Sequence, residues 1–172
     1  MFYLIRHGAT DYTQQNTKIY QGYGVNLSPL SLKGIEQINN TAKDKRLINA
    51  DIILSSPYTR ALQTAAILSK ALNVDISVET DLHEWIANKG YIYETDEIAV
   101  EAYREYTANK GEYPFNVEKE WETASLIRDR VIPVLEKYKH LDKVIVACHG
   151  TLIQALTKKH IPDNGDIVEF EL

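Results

Sequence analysis

Apolar residues in this chain fall into short unbroken runs, each stopped by a polar cluster, and into longer stretches where they recur every three or four positions. Phe2 to Ile5 is the first run, and Asp51-Ile52-Ile53-Leu54-Ser55 and Lys143-Val144-Ile145-Val146-Ala147-Cys148 repeat the pattern. Runs without polar alternation suit strands buried on both faces, as in a parallel sheet. Each run ends in residues that can open a helix. Ser56-Pro57 offers a serine N-cap and a proline at the first helical position, and His149-Gly150-Thr151 follows the third run.

The stretches between the runs have helical periodicity. Leu32, Ile35, Ile38 and Ala42 predict a helix from Ser31 to about Leu47, and Leu62, Ala65, Leu68 and Leu72 predict one from Pro57 to about Leu72. A third, from about Glu118 to Tyr138, carries Trp121, Ala124, Ile127, Val131, Leu135 and Tyr138 on one stripe, with Pro133 expected to kink it. After the turn dipeptide Asn164-Gly165, residues 166–172 alternate apolar and acidic positions, as a half-exposed edge strand would. Strands alternating with helices make this an α/β sheet protein. The stretch from about Ile86 to Phe115 is the least regular and is rich in tyrosine (Tyr91, Tyr93, Tyr103, Tyr106, Tyr113), which marks it as a candidate lid within one domain spanning 1–172.

Composition narrows the function. The 172 residues hold 19 basic and 24 acidic side chains, so the chain as a whole carries no electrostatic footprint for nucleic acid, and any anion site must be local. Cys148 is the single cysteine, which excludes an internal disulfide framework and multi-cysteine zinc modules and points to a reducing, cytoplasmic setting. Arg6 interrupts the N-terminal apolar run too early for a signal peptide or a membrane span, so no membrane partner is expected. Nothing in the pattern reads out the oligomeric state.

Candidate chemistry collects at the strand exits. In open α/β sheets ligands sit beyond the carboxyl ends of the strands. Arg6 and His7 leave the first strand, Arg60 lies one turn into the helix after the second, and His149 follows the third. Two arginines and two histidines would repel one another unless an anion sat among them, and a tetrahedral phosphate can accept from both guanidinium forks and from helix N-terminal amides. Glu84, beside Trp85, supplies a carboxylate that an adjacent indole would keep protonated as a general acid. Cys148 does not fit a cysteine phosphatase, because the Cys-x5-Arg loop of that chemistry would need arginine where Gln154 stands.

These residues lie in strings that resemble the histidine phosphatase superfamily, the phosphoglycerate mutase-like proteins. The strings are Leu4-Ile5-Arg6-His7-Gly8-Ala9-Thr10, Gln21-Gly22, Pro29-Leu30-Ser31-Leu32-Lys33-Gly34, Ser55-Ser56-Pro57-Tyr58-Thr59-Arg60-Ala61-Leu62-Gln63-Thr64-Ala65, Leu82-His83-Glu84-Trp85 and Val146-Ala147-Cys148-His149-Gly150-Thr151. They occur in the family's order and span nearly the whole chain outside the 86–115 stretch.

The resemblance implies a three-layer α/β/α sandwich with a mostly parallel central sheet and an antiparallel C-terminal edge strand. It implies that His7 is the nucleophile that becomes phosphohistidine, that Arg6, Arg60 and His149 hold the phosphoryl oxygens, and that Glu84 protonates the leaving oxygen and then activates water. Thr10, Gln21, Gly22 and Gly150 would complete the substrate-binding rim. No metal or other cofactor is expected, and the partner is a small phosphorylated substrate. Ala9 and Thr13 stand where many relatives carry glutamate and asparagine, and Glu122 matches an acidic family position too loosely to join the catalytic set. Hydrolysis is the expected outcome. A mutase using the same chemistry and a noncatalytic phosphate-recognition module are the alternatives.

Overall fold

The three apolar runs form adjacent strands of one five-stranded sheet, in the order β3-β2-β4-β1-β5. The computed structural model describes residues 1–14 and 24–172, so the expected contacts at Gln21 and Gly22 lie outside the described residues. In chain order the elements are β1 (Phe2–Arg6), α1 (Gly24–Leu27), α2 (Leu32–Thr41), β2 (Ile52–Ser55), α3 (Thr59–Leu72), β3 (Ile76–Val78), α4 (Asp96–Ala108), α5 (Ala124–Lys137), β4 (Val144–Cys148), α6 (Gly150–Thr157) and β5 (Ile167–Phe170). Short 3-10 turns stand at Lys45–Leu47 and Thr80–Leu82. Strands β1 to β4 pair in parallel and β5 runs antiparallel to β1 at the edge, as expected.

The pleat explains why the central strands lack polar alternation. Leu4, Leu54, Val144, Val146 and Cys148 face α5 and α6, packing with Ile127, Val131, Leu135, Leu152 and Ile153. Ile5, Ile53, Ile145 and Ala147 face the opposite way, packing with Ile38 of α2 and with Ala65 and Leu68 of α3. Both faces are therefore covered, and each large aliphatic side chain buried this way stabilises the fold by about 1.5–3 kcal/mol relative to exposure.

Several boundaries differ from the periodicity. Helix α2 ends at Thr41, and a separate 3-10 turn capped by Asp44 carries the chain to Leu47. Helix α5 begins at Ala124, where Thr123 accepts from Leu126 N; Trp121, expected on its stripe, lies ahead of the helix. Helix α3 begins at Thr59 after Tyr58, which makes no side-chain cap, so Ser56 and Pro57 do not open the helix as expected. The stretch expected to be irregular contains the thirteen-residue α4 with Thr95 as its N-cap. Strand β3 was not anticipated, because three residues are too few to show a period.

The topology opens a crevice. Helix α3 leaves β2 on one face of the sheet and α6 leaves β4 on the other, which separates the chain at the carboxyl ends of these neighbouring strands. The loop after β1 enters this crevice and crosses α2 backbone to backbone. A Cβ on Gly34 would lie 2.1 Å from the Ala9 carbonyl oxygen and one on Gly8 would lie 2.4 Å from that of Gly34, so no larger residue fits at either position. Ser31 N and Oγ both donate to the Ala9 carbonyl, at 2.9 and 3.0 Å, and Ala9 N donates to Gln37 Oε1 at 2.8 Å. His7 thus sits on a pinned loop.

Candidate active site

Sheet register brings the two histidines together. Arg6 pairs with Cys148 across β1 and β4, so the next residue of each strand, His7 and His149, leaves the sheet at one level. His7 N donates to the Cys148 carbonyl at 3.0 Å, and the imidazole rings meet edge to face with centroids 5.1 Å apart. His7, His149 and Arg60 are all buried, with 6%, 0% and 3% exposure.

The partners of His7 determine its tautomer. Its Nδ1 lies 2.8 Å from the Gly8 carbonyl oxygen, which can only accept, so Nδ1 carries the hydrogen. Its Nε2 receives the Arg60 Nε–H at 3.1 Å, and a guanidinium can only donate, so Nε2 presents a lone pair. Burial, then the Arg60 charge, with a smaller contribution from Arg6, hold the His7 pKa at about 3 against the opposing Gly8 bond. Complete burial, reinforced by Arg60 and His7, holds His149 well below the usual imidazole range.

These shifts have a stability consequence. Between pH 6.5 and about 3 an unfolded chain protonates His7 while the folded chain does not, so stability is intact above pH 6.5 and falls as the pH drops through that window. The expected slope is about 1.4 kcal/mol per pH unit for each such histidine. Urea unfolding between pH 7 and 5 should show this fall, and His7→Asn should flatten it by one proton's worth.

His149 is held by a residue expected elsewhere. Ser56 Oγ lies 2.7 Å from His149 Nε2 and accepts from Tyr58 N at 3.3 Å. The Tyr58 ring lies against His149, centroids 5.3 Å apart, with the Arg60 guanidinium carbon 5.1 Å from its centre. Burial, the largest cause, pushes the Tyr58 hydroxyl up to about 12, so it is a neutral wall of the site. Arg60 also donates through Nη1 to the Val25 carbonyl at 2.6 Å, and Thr64 links Gly8 N to the Arg60 carbonyl.

Arg6 donates through Nη1 to the Pro162 carbonyl at 2.7 Å. A Cβ on Gly150 would approach Ile161 Cγ2 to 2.7 Å and Arg6 Nε to 3.2 Å, so Gly150 has a packing role against the guanidinium. Among the described residues, the buried side-chain polar atoms without a hydrogen-bond partner are Arg6 Nε, Thr10 Oγ1 and His149 Nδ1. All three belong to residues that sequence motifs assigned to phosphate binding.

Glu84 is placed differently from the expectation. Its carboxylate accepts from Trp85 N at 2.8 Å, Thr151 N at 3.3 Å and Leu152 N at 3.2 Å. The first-turn amides of α6, expected to face a phosphate, therefore hold Glu84 instead. Trp85 packs on Tyr103 and Tyr106 and donates through Nε1 to the Glu122 carbonyl at 2.7 Å. The site thus unites His7, Arg60 and His149 and brings Glu84 to the start of the helix that follows His149.

Two residues of this region, Glu122 and Arg130, have no assigned role in the sequence reading. Glu122, left out of the catalytic set, is buried and forms a two-pronged ion pair with Arg130, at 2.6 and 2.9 Å. Their separation of eight positions across the start of a helix is a sequence signal, but it acquires meaning only once α5 is known to begin between them. Tyr91 Oη lies 3.1 Å from His83 Nε2, which ties the tyrosine-rich stretch to the residue before Glu84.

Two histidines and an arginine converging at the carboxyl ends of the strands of an α/β sheet give a buried, positively charged site suited to an anion. The chain belongs to the histidine phosphatase superfamily (branch 1), whose family model matches residues 2–165, and it is an enzyme of the phosphatase class. It is 29% identical over 164 residues to the uncharacterized phosphatase PhoE of Bacillus subtilis, covering 89% of this chain and 73% of that protein. It is 24% identical over 163 residues to the adenosylcobalamin/alpha-ribazole phosphatase of Escherichia coli, covering 92% and 78%. The fold matches a mycobacterial glucosyl-3-phosphoglycerate phosphatase with TM-score 0.70 at 20% identity, over 96% of this chain and 87% of that one. It matches a Bacillus anthracis phosphoglycerate mutase with TM-score 0.68 at 22% identity, over 96% and 85%. Among the described residues no helix is long and apolar enough to cross a membrane.

Proposed function

We propose that the protein is a metal-independent phosphomonoesterase that passes the phosphoryl group of a small phosphorylated metabolite to His7 Nε2 and then to water. The observation that carries this reading is the His7 tautomer: Nδ1–H bonded to the Gly8 carbonyl leaves the lone pair on Nε2, beside the Arg60 guanidinium. An uncharged imidazole next to fixed positive charge is suited to attack phosphorus while its oxygens are neutralised.

In the first step Nε2 attacks, the N–P bond forms and the ester P–O bond breaks. Arg60 exchanges its bond to Nε2 for a phosphoryl oxygen, and Arg6 and His149 Nδ1 take others. Glu84 passes a proton, brought in on the monoprotonated phosphoryl group, to the leaving oxygen. In the second step the Glu84 carboxylate takes a proton from water, the water oxygen attacks phosphorus, and the N–P bond breaks to restore the lone pair; Glu84 then returns its proton to the departing phosphate and is again a carboxylate. Thr10 and Gly150 complete the binding rim. The chain works as one domain over 1–172, with residues 86–115 as a lid fastened near the acid by the Tyr91–His83 bond. A cytoplasmic setting completes the reading, since it keeps the single thiol, Cys148, reduced.

Rapid quench with a phosphate-labelled ester should trap acid-labile, base-stable label on the protein, with phosphate released and no isomerised product. Steady turnover without trapped label would overturn the phosphohistidine route, and an isomerised product would favour the mutase reading.

A further inference from the structure

Glu84 is useful as an acid only if its carboxyl stays within about 3 Å of the oxygen it protonates. It stands on a connection with no regular structure beyond the turn Thr80–Leu82, so something must fix the height of that connection. The side chain itself is held from α6 by Thr151 N and Leu152 N. The backbone is held by an ion pair between Arg130 of α5 and Glu122, two residues ahead of that helix.

Arg130 grips Glu122 with both prongs, Nε to Oε1 at 2.6 Å and Nη2 to Oε2 at 2.9 Å. The same guanidinium donates through Nη1 to the Asp81 carbonyl and through Nη2 to the Glu84 carbonyl, the latter at 3.5 Å. Glu122 holds the connection from the other side, its N donating to the Ile86 carbonyl at 3.0 Å and its carbonyl accepting from Trp85 Nε1 at 2.7 Å. Residues 81, 84, 85 and 86 are thus all attached to a single pair. A buried ion pair contributes little net stability over an apolar packing of the same shape, because desolvation offsets its attraction. A forked pair with its spare hydrogens on carbonyls does define geometry.

From this geometry we infer that Arg130 and Glu122 are positioning residues that set the height of Glu84 over the phosphoryl site. The inference rests on the reading of Glu84 as the general acid. It predicts a loss that depends on the leaving group. The p-nitrophenolate ion leaves without a proton, whereas an alkoxide needs one, so a misplaced acid is felt only with alkyl esters.

The test compares kcat/KM for p-nitrophenyl phosphate and for glycerol 2-phosphate, since this ratio reports the step that forms the phosphoenzyme. Arg130→Lys keeps the charge and loses the fork, and Glu122→Gln keeps the shape and loses the charge. Each should lower the glycerol ester value by about tenfold or more and the nitrophenyl value by less than about threefold. Glu84→Gln should show the same discrimination more strongly, and adding Arg130→Lys to it should lower neither value further. If Glu84→Gln discriminates while Arg130→Lys and Glu122→Gln lower both esters in equal proportion or lower neither, the positioning role is overturned. If Glu84→Gln does not discriminate, the acid assignment fails and the positioning role with it.

Discussion

His7→Ala should abolish turnover, lowering kcat/KM for p-nitrophenyl phosphate by about 10⁴-fold or more and leaving no acid-labile label in a rapid quench. The size of the effect follows from the geometry. Gly8 fixes the hydrogen on Nδ1 and Arg60 faces the Nε2 lone pair, so the nucleophile is a single atom in a set orientation. His149 does not replace it, because Ser56 Oγ, which accepts from Tyr58 N, donates its hydroxyl to Nε2, which leaves the hydrogen on Nδ1 and no lone pair facing the phosphoryl site. Retained turnover in His7→Ala, measured as phosphate release, would show that another group receives the phosphoryl.

Arg60→Met should lower kcat/KM by about 10³-fold, the scale on which an arginine stabilises charge developing on a transferring phosphoryl group. It should also change the pH profile. Arg60 is the second-largest cause, after burial, of the low His7 pKa, so its removal raises the proton affinity of the nucleophile. With that proton affinity raised, the acid limb of the kcat/KM profile should move toward neutral. A lower rate with an unmoved acid limb would mean that Arg60 acts on the substrate and not on the state of His7. Methionine fills much of the same volume, which keeps the comparison clear of a large cavity.

The central strands were legible because β1, β2 and β4 are covered on both faces, and full burial writes an unbroken apolar run. Helices α2, α3 and α5 were legible in place but not in extent. Ser56 satisfies the rule for an N-cap, yet its hydroxyl lies against His149 and the helix begins three residues later. Trp121 falls on the helical period of α5 but belongs to an aromatic cluster with Tyr106 and Tyr113. Helix α4 was obscured because the residues it turns to the core are alanine and tyrosine, Tyr106 buried and Ala102 and Tyr103 partly so, and Tyr103 and Tyr106 pack against Trp85. A tyrosine in a sequence does not distinguish a core wall from a binding surface.

What the sequence determined by itself was the chemistry on offer: Arg6, His7, Arg60 and His149 at strand exits, a glutamate after Leu82-His83, and a chain whose overall charge is mildly acidic. Residue type and strand periodicity are local properties, so a linear reading recovers them. The tertiary structure alone decided which atoms meet. The register of β1 on β4 brings His7 beside His149, and α6 turns its first amides onto Glu84 instead of a phosphate. The Arg130–Glu122 pair takes hold of the connection that carries the acid. These are contacts between segments far apart in the chain. They depend on sheet register and helix placement, which are settled when both faces of the sheet are packed and which no window of sequence encodes.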